Sequence, residues 1–121
     1  MDTVARKKRK ADEVRVLGTA LCKAAEIMGF SEEEAAAVIG HERTSGICDG
    51  IDPNSEAGER ALMFIRVSRG LHTLVGGNYE HMRHWITTDN RAFGQSPREM
   101  MKSCQGLIAV LKYLDAMGSR L

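Results

Sequence analysis

His81 and His84 stand three residues apart beside Trp85, the chain's one tryptophan. On a helix that spacing places both imidazoles on one side, the arrangement with which a pair of histidines opens a metal site. No third ligand stands nearby at a supporting position, and Arg83 occupies the place three after Glu80 where the Glu-x-x-His spacing of di-iron bundles needs a histidine. Both therefore read as surface or packing histidines. Cys22, Cys48 and Cys104 are widely separated, form no CxxC pair and have no histidine at zinc-ligand spacing, so they read as reduced thiols, two of them facing the core. None has an activating neighbour in sequence. Gly76-Gly77 follows a helical pattern rather than a strand and reads as a helix stop, not a phosphate cradle. The residues thus offer no catalytic constellation, no metal site and no cofactor site, and the chain is expected not to be an enzyme.

The remaining chemistry is charge and apolar contact. Overall 17 basic groups nearly cancel 16 acidic ones, but residues 1–13 hold Arg6, Lys7, Lys8, Arg9 and Lys10 against Asp2, Asp12 and Glu13. Dense like charge with little to bury predicts a disordered basic arm over 1–13. The arm either aids solubility or lies along nucleic-acid phosphates. Five neutralised phosphates would make affinity fall roughly 500-fold between 50 and 200 mM salt.

The elements that must position everything else read as short helices with explicit stops. Val14, Leu17, Leu21, Ala24 and Met28 share one face, and Gly29 ends that helix. Ser31 and Glu34 predict a capping box for the next, with Ala35, Val38 and Ile39 inward and Gly40 closing it. A third short helix is predicted within 42–49, then a turn at Ile51–Asn54, because Pro53 disfavours helix at the residue before it. A longer helix runs from Ser55 to about Val75 as the spine, carrying Ala61, Phe64, Ser68 and Leu71. Asn78 caps the following helix, from which Met82, Trp85 and Ile86 face inward. A polar loop at Thr87–Asn90 leads to Ser96, Pro97 and Glu99, a second capping-box pattern. The last helix carries Leu107, Val110, Leu111, Leu114 and Met117 on one face. No sustained alternation marks a strand, so the fold is expected to be all-α. Apolar runs fall far short of the roughly 18 residues that cross a bilayer, and no signal-peptide pattern is present, so a soluble cytoplasmic protein is expected.

Two helices separated by Gly40 and a few polar residues suggest a helix-turn-helix, in which Arg43 would meet a guanine edge and Thr44 and Ser45 would contact phosphate or bases. Gly46 within the recognition helix, with Glu42 and Asp49 beside it, departs from a strong DNA reader. Trp85, Met100, Met101 and Tyr113 read first as core, while the methionine pair and the last helix are where an exposed protein interface is sought.

Gly76-Gly77, Trp85, Asn90, Gly94, Pro97, Gly106 and Tyr113-Leu114, in that order and approximate spacing, resemble the C-terminal toxin-binding domain of the Xre/MbcA/ParS antitoxins. The resemblance extends to residues 14–72, which follow the family's Xre-like helix-turn-helix. Beyond the basic arm at 1–13, which it does not cover, it implies a helix-turn-helix domain at 14–72 and, packed on it, a helical toxin-binding domain at 73–121. It further implies a cognate RES-domain toxin that consumes NAD and whose active site is blocked. The implied contacts are Met100, Met101, Leu107, Leu111, Tyr113, Leu114 and Met117, with Arg120 and Leu121 reaching inward. Repression of its own operon through Arg6–Lys10 and Arg43–Ser45, as a homo-oligomer within the complex, is the second implied role. A stand-alone transcription regulator and an adaptor that binds a partner without touching DNA remain the alternatives.

Overall fold

The computed structural model describes residues 3–41 and 46–119. Within them the chain forms α1 (Thr3–Met28), α2 (Glu32–Ile39), α3 (Glu56–Leu74), α4 (Tyr79–Thr87), α5 (Pro97–Met100) and α6 (Cys104–Gly118). No strand occurs among the described residues, apart from one isolated bridge between Asn90 and Gln95. The fold is all-α, as the helical periodicity requires.

α1 exceeds its expected bounds. Leu17, Leu21, Ala24, Ala25 and Met28 bury the face that the spacing marks. The helix also continues upstream through Arg6–Lys10 to Thr3, which corrects the expectation of a disordered arm. Two physical reasons account for this. No Gly or Pro interrupts residues 3–17, where Lys, Arg, Ala and Glu predominate, all good helix formers. A helix already nucleated by its packed half extends without a second nucleation cost. An Asp12–Arg15 pair at 2.6 Å adds an i,i+3 contact on the surface.

The Ser31 box forms as expected: the Glu34 N–H donates to Ser31 Oγ, the Ser31 N–H donates to Glu34 Oε1, both at 3.0 Å, and Gly40 ends α2 at φ 69°. The helix expected within 42–49 does not appear in its described part. Residues 46–49 form a turn closed by the Asp49 N–H on the Gly46 carbonyl at 3.1 Å, with Gly46 at φ 86°. That turn lies on α1. A Cβ on Gly18 would stand 2.5 Å from the Ile47 carbonyl oxygen, so only glycine admits the approach, and Ile47 is fully buried there. The same approach brings the Cα atoms of Cys22 and Cys48 to 5.6 Å and joins the two in a disulfide, correcting the expectation of three reduced thiols. Cys104 stays free.

α3 is the spine. Ser55 caps it through the Gly58 N–H at 3.0 Å, and its buried Ala61, Phe64, Ile65, Val67, Ser68 and Leu71 are too many for a single stripe. More than one side is covered because α1, α2 and α6 all pack on it. Fully burying side chains of this size contributes about 1.5–3 kcal/mol each. One hydrophobic cluster runs from Leu17 through Phe64 to Leu114, and the expected division between 72 and 73 falls within the last turn of α3.

Asn78 caps α4 through the His81 N–H at 3.0 Å, and Met82 and Ile86 anchor that helix inward. At Ser96 the hydroxyl accepts from the Glu99 N–H at 3.2 Å, but the Glu99 carboxylate turns to Lys102 at 2.9 Å, so the second capping box stays half-made. A break at 101–103 separates α5 from α6, and Ser103 caps the new helix through the Gly106 N–H at 2.9 Å.

Candidate protein-interaction site

α4 projects His81, His84 and Trp85 along one face, with Thr88 at its C-cap. After it, the Asn90 side chain accepts from the Ala92 N–H at 2.9 Å, the Asn90 N–H donates to the Gln95 carbonyl at 3.0 Å, and Gly94 takes φ 72°. This loop carries Phe93 back onto α6, where its ring meets Tyr113 edge-on, centroids 5.2 Å apart. Trp85 stacks on the same tyrosine from α4 at 6.1 Å, the planes 29° apart. Tyr113 is thus the middle of a three-ring row drawn from a helix, a loop and a second helix. All three rings are half-buried, so each keeps an edge toward solvent. Beside Trp85 a cavity of about 420 Å³ opens between Val75, His81, His84, Asp89 and Asn90.

A row of half-exposed rings next to a concavity is the kind of surface that anchors a protein partner. Aromatic side chains offer large contact area for little lost rotamer freedom, and they dominate binding energy when a partner covers them. His81 and His84 are both exposed on this face. Among the described residues no group of three or more His, Cys, Asp or Glu stands close enough together to hold a metal ion.

The expected toxin contacts divide sharply. Met101, Leu107, Leu111 and Leu114 are buried against the rest of the core, at 0, 0, 5 and 3 % exposure, so no partner reaches them on this fold. Of these, Leu107, Leu111 and Leu114 lie on α6, which packs on α3. Met100 is half-buried, with the Gln95 amide donating to its sulfur at 3.0 Å. Tyr113 and Met117 are half-buried and reachable. Arg120 and Leu121 lie outside the described residues. Phe93, absent from the expected set, joins the surface, and Trp85 adds half a ring to it. Phe93 sits in a loop, outside any helical stripe, so periodicity carried no signal for it.

The expected DNA contacts fare differently. Arg6, Lys7, Lys8, Arg9 and Lys10 are exposed on the first turns of α1. Five successive helical residues, 100° apart, point all around the axis. Arg6, Arg9 and Lys10 lie within about 100° of one another, so a duplex laid along that side meets three cations rather than five. Arg43, Thr44 and Ser45 lie outside the described residues.

One electrostatic feature ties the halves of the molecule together. Arg98, from α5, reaches the Glu34 carboxylate, donates to the Gly29 carbonyl at 3.3 Å, and lies 4.6 Å over the Phe30 ring. The Glu34 carboxyl is held below its ordinary pKa first by the Ser31 backbone N–H; burial opposes this as the next largest effect, and Arg98 adds to the lowering. No helix among the described residues is long and apolar enough to cross a membrane.

No curated protein matches the chain. Residues 70–120, the segment that carries Trp85, Phe93, Tyr113 and Arg98, match the family described as the antitoxin Xre/MbcA/ParS C-terminal toxin-binding domain. The C-terminal part of this chain is therefore similar to the toxin-binding domain of those antitoxins, and the match supports an antitoxin with a toxin as its partner.

Proposed function

We propose that this chain neutralises a RES-domain, NAD-consuming toxin by covering its active site with residues 73–121, and that it performs no catalysis itself. The observation that carries this reading is the Trp85–Tyr113–Phe93 row, exposed at the edge of the segment that matches a toxin-binding domain. Tyr113, Met117 and Met100 remain from the contacts implied by the resemblance, with Trp85 and Phe93 added. α6 ends at Gly118, and the tail 118–121, once Gly118 and Ser119 unwind from the helix end, comes within reach of a cleft against which the row docks. Four extended residues span about 13 Å, enough to enter a nucleotide pocket. Arg120 or the terminal carboxylate then takes the place of charges that the cofactor meets.

The test is co-expression with a RES-type toxin encoded beside this chain, reading both survival and cellular NAD. The intact protein preserves both. Trp85→Ala and Tyr113→Ala each weaken protection while leaving the helical circular dichroism in place, and removal of residues 118–121 impairs inhibition of a folded protein. Undiminished protection by the tail-less chain rejects the tail plug, and absence of any affinity for such a toxin rejects the whole reading.

Repression of its own operon from the cytoplasm is the second part of the proposal, with the basic segment 1–13 and residues 14–72 together as the DNA-facing part. Three aligned cations on α1 predict a loss of affinity of about 40-fold between 50 and 200 mM salt, rather than the roughly 500-fold of five contacts. A second reading, an adaptor that binds its partner without DNA, is favoured by one observation: residues 46–49 form a turn where a recognition helix was expected. Operator mobility shifts that persist after Arg6, Arg9 and Lys10 are all replaced by Ala count against the α1 contact.

A further inference from the structure

The cavity of about 420 Å³ beside Trp85 sits at the C-terminal end of α4, where His84, Trp85, Thr88, Asp89 and Asn90 line it together. With histidine counted as neutral, Asp89 carries the one formal charge among the residues that line it. Its side chain is exposed and has neither an ion pair nor a hydrogen bond among the described residues, and Arg91, the nearest cation in sequence, does not pair with it. The end of α4 adds to the negative potential, because the last carbonyls of a helix carry the negative end of its dipole.

These features select the occupant. A partner that covers the cavity with apolar groups alone leaves the Asp89 carboxylate desolvated and unpaired, a costly outcome. An anion meets a negative carboxylate and a negative helix end with no lining cation to offset them. A cation satisfies both, and it satisfies the Trp85 ring as well, whose electron-rich face attracts positive charge within about 6 Å. That ring is already held by its stack on Tyr113, so little freedom is lost when a further group docks against it. Arginine fits better than lysine: its guanidinium is planar, lies flat on a ring and forks onto a carboxylate, whereas an ammonium holds its water more tightly. The chain builds the same trio within itself, where Arg98 lies 4.6 Å over the Phe30 ring and pairs with Glu34.

We infer that the cavity between Trp85 and Asp89 is a recognition site for an arginine side chain of the bound toxin, the guanidinium lying on the Trp85 ring and bonded to the Asp89 carboxylate. The source of the arginine rests on the reading of residues 73–121 as a toxin-binding surface; the guanidinium chemistry of the cavity does not. Neither Trp85 nor Asp89 is among the contacts that the resemblance implies.

Trp85, the chain's one tryptophan, reports on the cavity through a single indole N–H signal in the nuclear magnetic resonance spectrum of the full chain. At low salt, N-acetyl-arginine amide is expected to shift that signal saturably with a dissociation constant on the order of 10 to 100 mM, as suits one exposed ion pair and one cation–π contact. N-acetyl-citrulline amide, of the same shape without the charge, leaves it in place. Asp89→Asn raises the constant at least about threefold, whereas Glu80→Gln, exposed on the same helix but outside the cavity, leaves it within about 1.5-fold. Against the toxin itself, where the pair is covered, Asp89→Asn weakens binding at least about tenfold more than Glu80→Gln. No shift with the arginine amide, an equal shift with the citrulline amide, equal losses in the two variants, or a toxin that holds Asp89→Asn as tightly as the parent chain overturns the inference. The probe titrations involve no toxin, so their failure leaves the proposed function standing. A chain that binds the probe as expected but binds no toxin rejects that function and, with it, the toxin as the source of the arginine.

Discussion

The Arg98 guanidinium lies 4.6 Å over the Phe30 ring and is bonded at the same time to the Glu34 carboxylate. Arg98 starts α5 near the C-terminal end of the chain, whereas Phe30 and Glu34 belong to the turn and first helical turn between α1 and α2. Phe30 in turn sets its edge on Phe64 of the spine, centroids 5.2 Å apart. One side chain therefore ties the segment resembling a toxin-binding domain to the N-terminal helices through a stacked, hydrogen-bonded charge. Lysine reproduces the charge but neither the planar stack nor the fork.

Arg98→Ala is accordingly expected to lower stability by about 1–2 kcal/mol, from a cation–π contact and a charge-assisted bond that are partly exposed. Arg98→Lys recovers less than half of it. Urea unfolding followed by circular dichroism measures both, and equal stability of Arg98→Ala and the parent chain refutes the clamp.

The Glu34 carboxyl, held below its ordinary pKa chiefly by the Ser31 N–H and also by Arg98, makes this clamp pH-dependent. A depressed folded-state pKa gives stability that is fully present above the unfolded value and lost as pH falls through the folded one. The stability difference between the parent chain and Glu34→Gln is therefore constant near neutrality and shrinks as the solution is acidified below the ordinary glutamate range. Melting temperatures of both proteins across that window report it. A gap that widens on acidification has the wrong sign for this account.

At Gly106 two effects oppose each other. Replacing a helical glycine by alanine ordinarily gains about 1 kcal/mol. Here the new methyl group would run into the Met100 carbonyl and stand 3.0 Å from Ser103 Oγ, because the first turn of α6 rests on the end of α5. Backbone cannot move aside as a flexible side-chain end can, so the clash wins and Gly106→Ala is expected to destabilise by about 1–3 kcal/mol. An unchanged or raised melting temperature would falsify that close approach.

The Cys22–Cys48 bond closes a separation of 26 residues, which chain entropy converts to about 3.5 kcal/mol of stability. A phosphine reductant is expected to lower the melting temperature of the parent chain and of Cys104→Ser, and to leave Cys22→Ser unaffected. Thiol titration of the unfolded protein should find one reactive group before reduction and three after it. Three before reduction means that the bond is absent.

Much of the fold was legible because its signals are local. The Ser31–Glu34 box, the Gly40 stop and the Asn78 cap depend on hydrogen bonds between residues two to four apart, and each appears where its residues stand. The stripes Leu17–Met28 and Leu107–Leu114 are buried as their periodicity requires. The same stripes misled the choice of contact residues. A periodic apolar face says that a side will be covered but not by what, and on α6 the cover is α3 rather than a partner protein. The ring row escaped notice for the related reason that Trp85, Phe93 and Tyr113 belong to three separate elements.

Most helices, their capped ends and the all-α class followed from the amino-acid order alone, since neighbours within a few positions determine caps, stops and faces. Three matters awaited the packed chain: the turn at 46–49 with its link from Cys48 to Cys22, the extension of α1 upstream to Thr3, and the gathering of Trp85, Phe93 and Tyr113 into one row beside a cavity. Each is fixed by the meeting of segments distant in sequence, or by packing that anchors one part of a helix and so supports the rest. Spacing along a chain carries no information about such meetings.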